Sequence, residues 1–206
     1  MTRRLITLLL CLFATPAFAQ TVAAPAPAAT PAPALPRVAI ETTAGRIVVE
    51  VETVKAPITS ANFLRYVDHA KLNGVEFYRI VRFDPDYGLL QFGTLGDPKR
   101  SYPVIKHEPT TLTGLSHTNG TLSMARSEPG TAQGDFTLMI GNQTSLDAKG
   151  DDVGYAAFGH VVEGMDVVLK ILNGELSPTA TRNGGYKGEV PVTPVKILTT
   201  KRVTVP

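Results

Sequence analysis

The chain has no tryptophan and a single cysteine. That cysteine, Cys11, lies in an apolar N-terminal run from Leu5 to Phe13. If the run is removed, the rest needs no disulfide and holds no thiol nucleophile. An excess of one charge is also lacking. The formal +2 comes from Arg3 and Arg4, and without them the balance is zero. Nothing electrostatic then argues for nucleic acid or an anionic membrane surface. His69, His107, His117 and His160 are scattered without ligand spacing and are expected at the surface or in turns. Ser116-His117 has no Gly-x-Ser-x-Gly elbow around it. Asp147, Asp151 and Asp152 have the wrong spacing for a calcium loop. No phosphate loop is present.

What is plentiful is glycine and proline, 18 and 16 residues. Many turns between short elements point to a β-rich domain. Before it, Arg3-Arg4, the short apolar run and Ala17-Phe18-Ala19 have the pattern of a signal peptide over 1–19, cut after Ala19. The run is too short for a stable membrane span, which disfavours an uncleaved anchor. Residues 20–36 are nearly all Ala, Pro, Thr and Val. Such a stretch cannot build a core and serves as a disordered, semi-rigid linker. The domain is then 37–206.

Within it, Arg37 to Thr43 and Arg46 to Val51 alternate as a hairpin around Ala44-Gly45. A helix capped by Thr59 or Ser60 is expected to run to about Lys71, stopped by Asn73-Gly74. Further strands are expected near 75–81, 88–93, 121–126, 136–140, 156–162 and 194–203, and a second helix over 164–172. In Val75 to Val81 the alternation puts Arg79 on the same face as Val75, Phe77 and Val81. A guanidinium cannot shed its charge and needs acceptors, so its presence on an apolar face requires a reason. Gln91, on the next strand, supplies an amide. Together they suggest the polar end of an apolar groove.

Several blocks, in order, resemble the signature of one family. They are Phe77-Tyr78-Arg79-Ile80-Val81, Leu90-Gln91-Phe92-Gly93, Gly120 to Arg126, Asp135-Phe136, and Phe158-Gly159-His160 through Val168. The chain is similar to the cyclophilin-type peptidyl-prolyl cis-trans isomerases over essentially all of 37–206. The resemblance implies a mainly β fold, a closed eight-stranded antiparallel barrel capped by two α-helices. It implies isomerisation of X-Pro bonds with no metal and no organic cofactor. It places Arg79 and Gln91 as catalytic residues. Leu89, Ala125, Arg126, Phe136, Thr137, Leu146 and Tyr155 are then the substrate-binding positions.

The family pattern is not met everywhere. Thr137 stands where the family has a pocket phenylalanine, Tyr155 where it has a histidine, and Ser145 where a tryptophan is common. Gly88 replaces a further aromatic, whose space Tyr87 or Phe83 can fill. The expectation is a monomeric periplasmic isomerase, reached through its signal peptide. Its partners are X-Pro segments of folding exported proteins, and it has no membrane span after cleavage. The altered pocket leaves an alternative, a catalytically weak proline-peptide-binding or chaperone module.

Overall fold

The computed structural model describes residues 34–182 and 187–204. The expected signal peptide and residues 20–33 of the linker lie outside them. Pro36, assigned to the linker, already belongs to the domain: its carbonyl accepts the Val51 N–H at 2.9 Å.

The first hairpin joins β1 (Arg37–Thr42) to β2 (Gly45–Val51). Its turn is Thr43-Ala44, one residue earlier than expected. Thr42 Oγ1 accepts from the N–H groups of Ala44 and Gly45, and Gly45 takes φ +142°. Helix α1 (Pro57–Asp68) begins before either expected cap. Pro57 suits the first turn, where its missing N–H is no loss. The N-cap, Ala56, has no side chain to offer, and Glu108 supplies the missing acceptor from far along the chain. Its carboxylate takes the Ile58 and Thr59 N–H groups at 3.1 and 2.7 Å and the Thr59 hydroxyl at 2.6 Å. A buried negative charge at a helix N-terminus is favoured by both the open N–H groups and the dipole.

The hairpin β3 (Phe77–Asp84) and β4 (Tyr87–Gly93) follows. The polar stretch after it, where no element was expected, contains only the four-residue helix α2 (Thr110–Thr113). Then come β5 (Thr121–Met124), β6 (Asp135–Ile140), a 3-10 turn at Thr144–Leu146, β7 (Ala157–Glu163) and helix α3 (Met165–Leu172). Two short strands, β8 (Leu176–Ser177) and β9 (Val190–Pro191), pair with each other before β10 (Ile197–Val203) ends the domain.

Eight strands form one antiparallel sheet in the order β10-β1-β2-β7-β5-β6-β4-β3. The order is a line with β10 and β3 as its edges, so the expected closed barrel is instead an open, curled sheet. The reason lies in what meets the β3 edge. Only the chain just before it and Phe77 reach the segment leading into β10, through one Glu76–Lys196 bridge and hydrogen bonds of Gly74, Val75 and Phe77 with Val195 and Ile197. Past Phe77 that edge is occupied by the approach to β9, where the Ile80 N–H donates to the Glu189 carbonyl at 2.8 Å. The core is aromatic: the Phe63, Phe92 and Phe158 rings lie 5.1 to 6.0 Å from the Phe136 ring. Among the described residues no helix is long and apolar enough to cross a membrane.

Candidate active site

The site begins with an irregularity in β3. Phe77 pairs with Phe92 and Arg79 with Gln91, so two residues of β3 span one step of β4. This is a bulge, with Tyr78 as the extra residue. It reverses the phase of the strand. Phe77 and Ile80 go into the core, and Arg79 and Val81 emerge on the opposite face. The strict alternation expected from the residues put Phe77 and Arg79 on one face, and the bulge separates them. The arginine thereby escapes the apolar core without leaving the strand.

From Arg79 a polar rung crosses the sheet. Arg79 pairs with Gln91, Gln91 with Thr137, and Thr137 with Ser123. The neighbouring rung, Phe77, Phe92, Phe136 and Met124, faces inward and is fully or nearly fully buried. Alternation across β6 therefore turns Phe136 into the core, and it does not line the site as expected. The other named positions come together. Arg79, Gln91, Leu89, Ala125, Arg126, Thr137, Leu146 and Tyr155 all line one cavity of about 470 Å³. Val81 and Met139 add apolar wall that was not anticipated, and Met124 borders the cavity from β5 although its rung packs into the core. Val81 and Met139 follow Arg79 and Thr137 by two residues, so the period of a strand contained the signal. Phe83 and Tyr87 also line the cavity, their rings 5.7 Å apart. They stand beside Gly88, where no side chain fits: a Cβ there would lie 2.2 Å from the Val81 carbonyl oxygen.

Arg79 is held on two sides. Its Nη1 donates to Gln91 Oε1 at 3.2 Å, and its Nε donates to Glu189 Oε2 at 2.5 Å. An arginine has only donors, so Gln91 presents its oxygen to Arg79 and its NH2 elsewhere. Glu189 has no pattern around it that marks it, and it arrives from a distant segment. Arg126 lines the same cavity. Its guanidinium carbon sits 4.5 Å from the Tyr155 ring centroid and its Nη2 donates to the Gly154 carbonyl at 2.5 Å. Its Nε is buried and has no hydrogen-bond partner among the described residues. A smaller polar cavity of about 250 Å³ adjoins, sharing Gln91, Ala125 and Arg126. It is edged by Asp135, whose carboxyl is pushed up by burial although Tyr78 and Leu95 donate to it.

Behind the wall lies a second polar group. His117 was expected at the surface or in a turn and is instead fully buried. Its Nδ1 meets Asp147 Oδ1 at 2.5 Å and its Nε2 meets Ser123 Oγ at 2.9 Å. Burial holds the imidazole below its ordinary value, against the pull of Asp147. Burial also works to raise Asp147, but the combined hydrogen bonds of Ser116 and His117 outweigh it and hold the carboxyl low. A neutral imidazole beside a carboxylate carries its proton on Nδ1, so Nε2 and the Ala156 carbonyl, 2.9 and 3.2 Å from Ser123 Oγ, share its single hydroxyl proton. The order Ser-His-Asp imitates a nucleophile triad. Ser123 is fully buried, however, so no substrate reaches its hydroxyl. The group instead ties the segment after Leu146 to β5.

Residues 37–202 match the family described as cyclophilin type peptidyl-prolyl cis-trans isomerase/CLD. The peptidyl-prolyl cis-trans isomerase of Acinetobacter baylyi is 39% identical over 165 residues, covering 78% of this chain and 82% of that protein. Peptidyl-prolyl cis-trans isomerase A of Dickeya dadantii is 35% identical over 167 residues, covering 80% and 83%. The crystal structure of a Cryptosporidium parvum cyclophilin-type isomerase superposes with a TM-score of 0.63 at 19% identity, over 84% of this chain and 99% of that one. That last likeness is one of fold. By the extent of the family match and the identity to these relatives, the chain belongs to the cyclophilin-type peptidyl-prolyl cis-trans isomerases.

Proposed function

We propose that this isomerase accelerates cis-trans rotation of X-Pro bonds in exported proteins, with Arg79 as the donor that stabilises the twisted amide. One observation carries the reading: Arg79 and Gln91, hydrogen-bonded across a ladder, form one end of a cavity whose other walls include Val81, Leu89, Met124, Met139 and Leu146. Amide resonance sets a barrier of roughly 18–20 kcal/mol to rotation. No bond has to break. As the amide twists, the proline nitrogen becomes pyramidal and regains a lone pair. A charged donor aimed at that nitrogen is stronger in the twisted state than in either planar one, which is the condition for catalysis. Gln91, with its oxygen turned to Arg79, offers its NH2 to the substrate carbonyl. The apolar walls take the proline ring and keep water from competing.

The test is a protease-coupled assay on Ala-Pro-Phe-type peptides with the domain from Arg37. Acceleration over background, abolished by Arg79→Ala, is expected. Turnover at the background rate would overturn it, and peptide binding without acceleration would favour the binding-module reading suggested by Thr137, Ser145 and Gly88. We also propose export to the periplasm, with cleavage after Ala19 and a monomeric mature protein. N-terminal sequencing of the fractionated protein tests the cleavage, and a mature chain beginning at Met1 would overturn it.

A further inference from the structure

The Arg79 guanidinium meets a carboxylate that the strands alone do not supply. Glu189 Oε2 accepts from Arg79 Nε at 2.5 Å, while Gln91 accepts from Nη1 at 3.2 Å. Glu189 is itself anchored. Its carbonyl accepts the Ile80 N–H at 2.8 Å, and the next two residues, Val190 and Pro191, pair with Ser177 and Leu176. The carboxylate is therefore delivered to β3 by a braced segment. We propose that Glu189 is a positioning residue of the isomerase site, fixing the plane of the Arg79 guanidinium before substrate arrives. The proposal rests on Arg79 being the donor to the proline nitrogen.

A guanidinium is planar and its donors keep fixed directions relative to one another. Holding Nε and Nη1 by separate acceptors removes the rotation about the side chain's last torsions that a long arginine otherwise keeps. The two side chains are 26% and 30% exposed, and Arg79 lines the cavity. An ion pair so placed contributes little to stability, because water screens it and two flexible side chains must be held. Its consequence is in orientation. Misplacement by about 1 Å can cost on the order of 100-fold in rate, so a loosely held Arg79 is a slower catalyst even when the substrate still binds.

The experiment separates rate from affinity. NMR exchange spectroscopy on an Ala-Pro-containing peptide gives the cis-trans exchange rate on the saturated enzyme, and titration gives the affinity. Glu189→Ala is expected to slow exchange roughly tenfold or more while leaving affinity within about twofold. Glu189→Gln keeps an acceptor of the same length and recovers most of the loss. Glu189→Asp, one methylene short, behaves like Glu189→Ala. The Arg79 Nε–H resonance reports on the same contact: sharp and protected from solvent exchange in the parent and in Glu189→Gln, broadened in Glu189→Ala. Thermal melting checks the fold, and if Glu189→Ala is unfolded the Gln and Asp variants decide. Parent-like exchange in both Glu189→Ala and Glu189→Asp overturns the positioning role, as does a Glu189→Gln variant as slow as Glu189→Ala. Arg79→Ala is measured alongside. If it retains the parent rate, the donor reading has failed; if it is inactive while Glu189→Ala is normal, only the positioning role has failed.

Discussion

Phe77 and Arg79 are two residues apart, yet they pair with consecutive residues, Phe92 and Gln91. The extra residue, Tyr78, sends its neighbours to opposite faces of one strand. Phe77 packs its ring 5.1 Å from Phe92 in the core. Arg79 emerges at the cavity with Gln91. A charge that would be costly in the core is thereby placed at the cavity. Deletion of Tyr78 makes Phe77 and Arg79 consecutive, so plain alternation keeps them on the faces they already occupy, but it removes a buried ring and the hydroxyl that donates to Asp135. That variant is expected to be severely destabilised, which urea titration would show.

With Arg79 as the proposed donor to the proline nitrogen, Arg79→Ala is expected to lower kcat/KM by about 100-fold or more. Arg79→Lys keeps the charge but not the two in-plane donors that reach Gln91 and Glu189, and is expected to recover little of it. The coupled assay measures both. Full activity in the lysine variant would show that a point charge suffices.

Thr137 lines the cavity at the position opposite Gln91. Thr137→Phe adds apolar surface to the wall, and burying about 40 Å² more of the proline ring contributes about 1 kcal/mol. KM for Ala-Pro peptides is expected to fall severalfold with kcat little changed. A rise in KM would mean that the ring blocks the groove.

His117 makes stability depend on pH. Its folded value lies below the ordinary 6.5 because of burial. Between the two values the unfolded chain binds more protons, so stability is fully present above 6.5 and declines as pH falls toward the folded value. Asp147, held below 3.8, adds a loss at still lower pH. Asp135 is raised and acts oppositely, gaining stability as pH falls from its folded value toward 3.8. Urea titrations at pH 7.5 and below 6.5 should show the parent losing stability and His117→Asn losing less. An identical pH dependence in both would remove His117 as the cause.

Glu108 substitutes for an N-cap. Glu108→Gln is expected to cost about 1 kcal/mol and Glu108→Ala about 2 kcal/mol, since the Ile58 and Thr59 donors then lose a charged acceptor. Denaturant midpoints would measure this, and an unchanged midpoint in Glu108→Ala would refute the capping role.

Much of the cavity lining was legible in the residues because strand alternation and chain order carry it. Arg79, Leu89, Gln91, Ala125, Arg126, Thr137, Leu146 and Tyr155 were each identified, and they line one cavity. Phe136 stands among the binding positions that the resemblance implies, while its own place on the strand favours the core, and the pairing of Phe92 with Phe136 puts it there. His117, Glu108 and Glu189 escaped for a common reason. Each acts through a partner at least 30 residues away, at Asp147, Thr59 and Arg79. No local pattern records such a meeting.

The order of apolar and polar residues, with its glycines and prolines, was enough to establish a β-rich domain, its hairpins and an arginine needing acceptors. Those properties depend on neighbours in the chain, through side-chain period and turn chemistry. The phase of β3, the open edge of the sheet, the buried His117 and the carboxylate beside Arg79 depend on which distant segments pack together. They emerge only when burial and ladder pairing across the whole domain are satisfied at once, and they determine which way the arginine points.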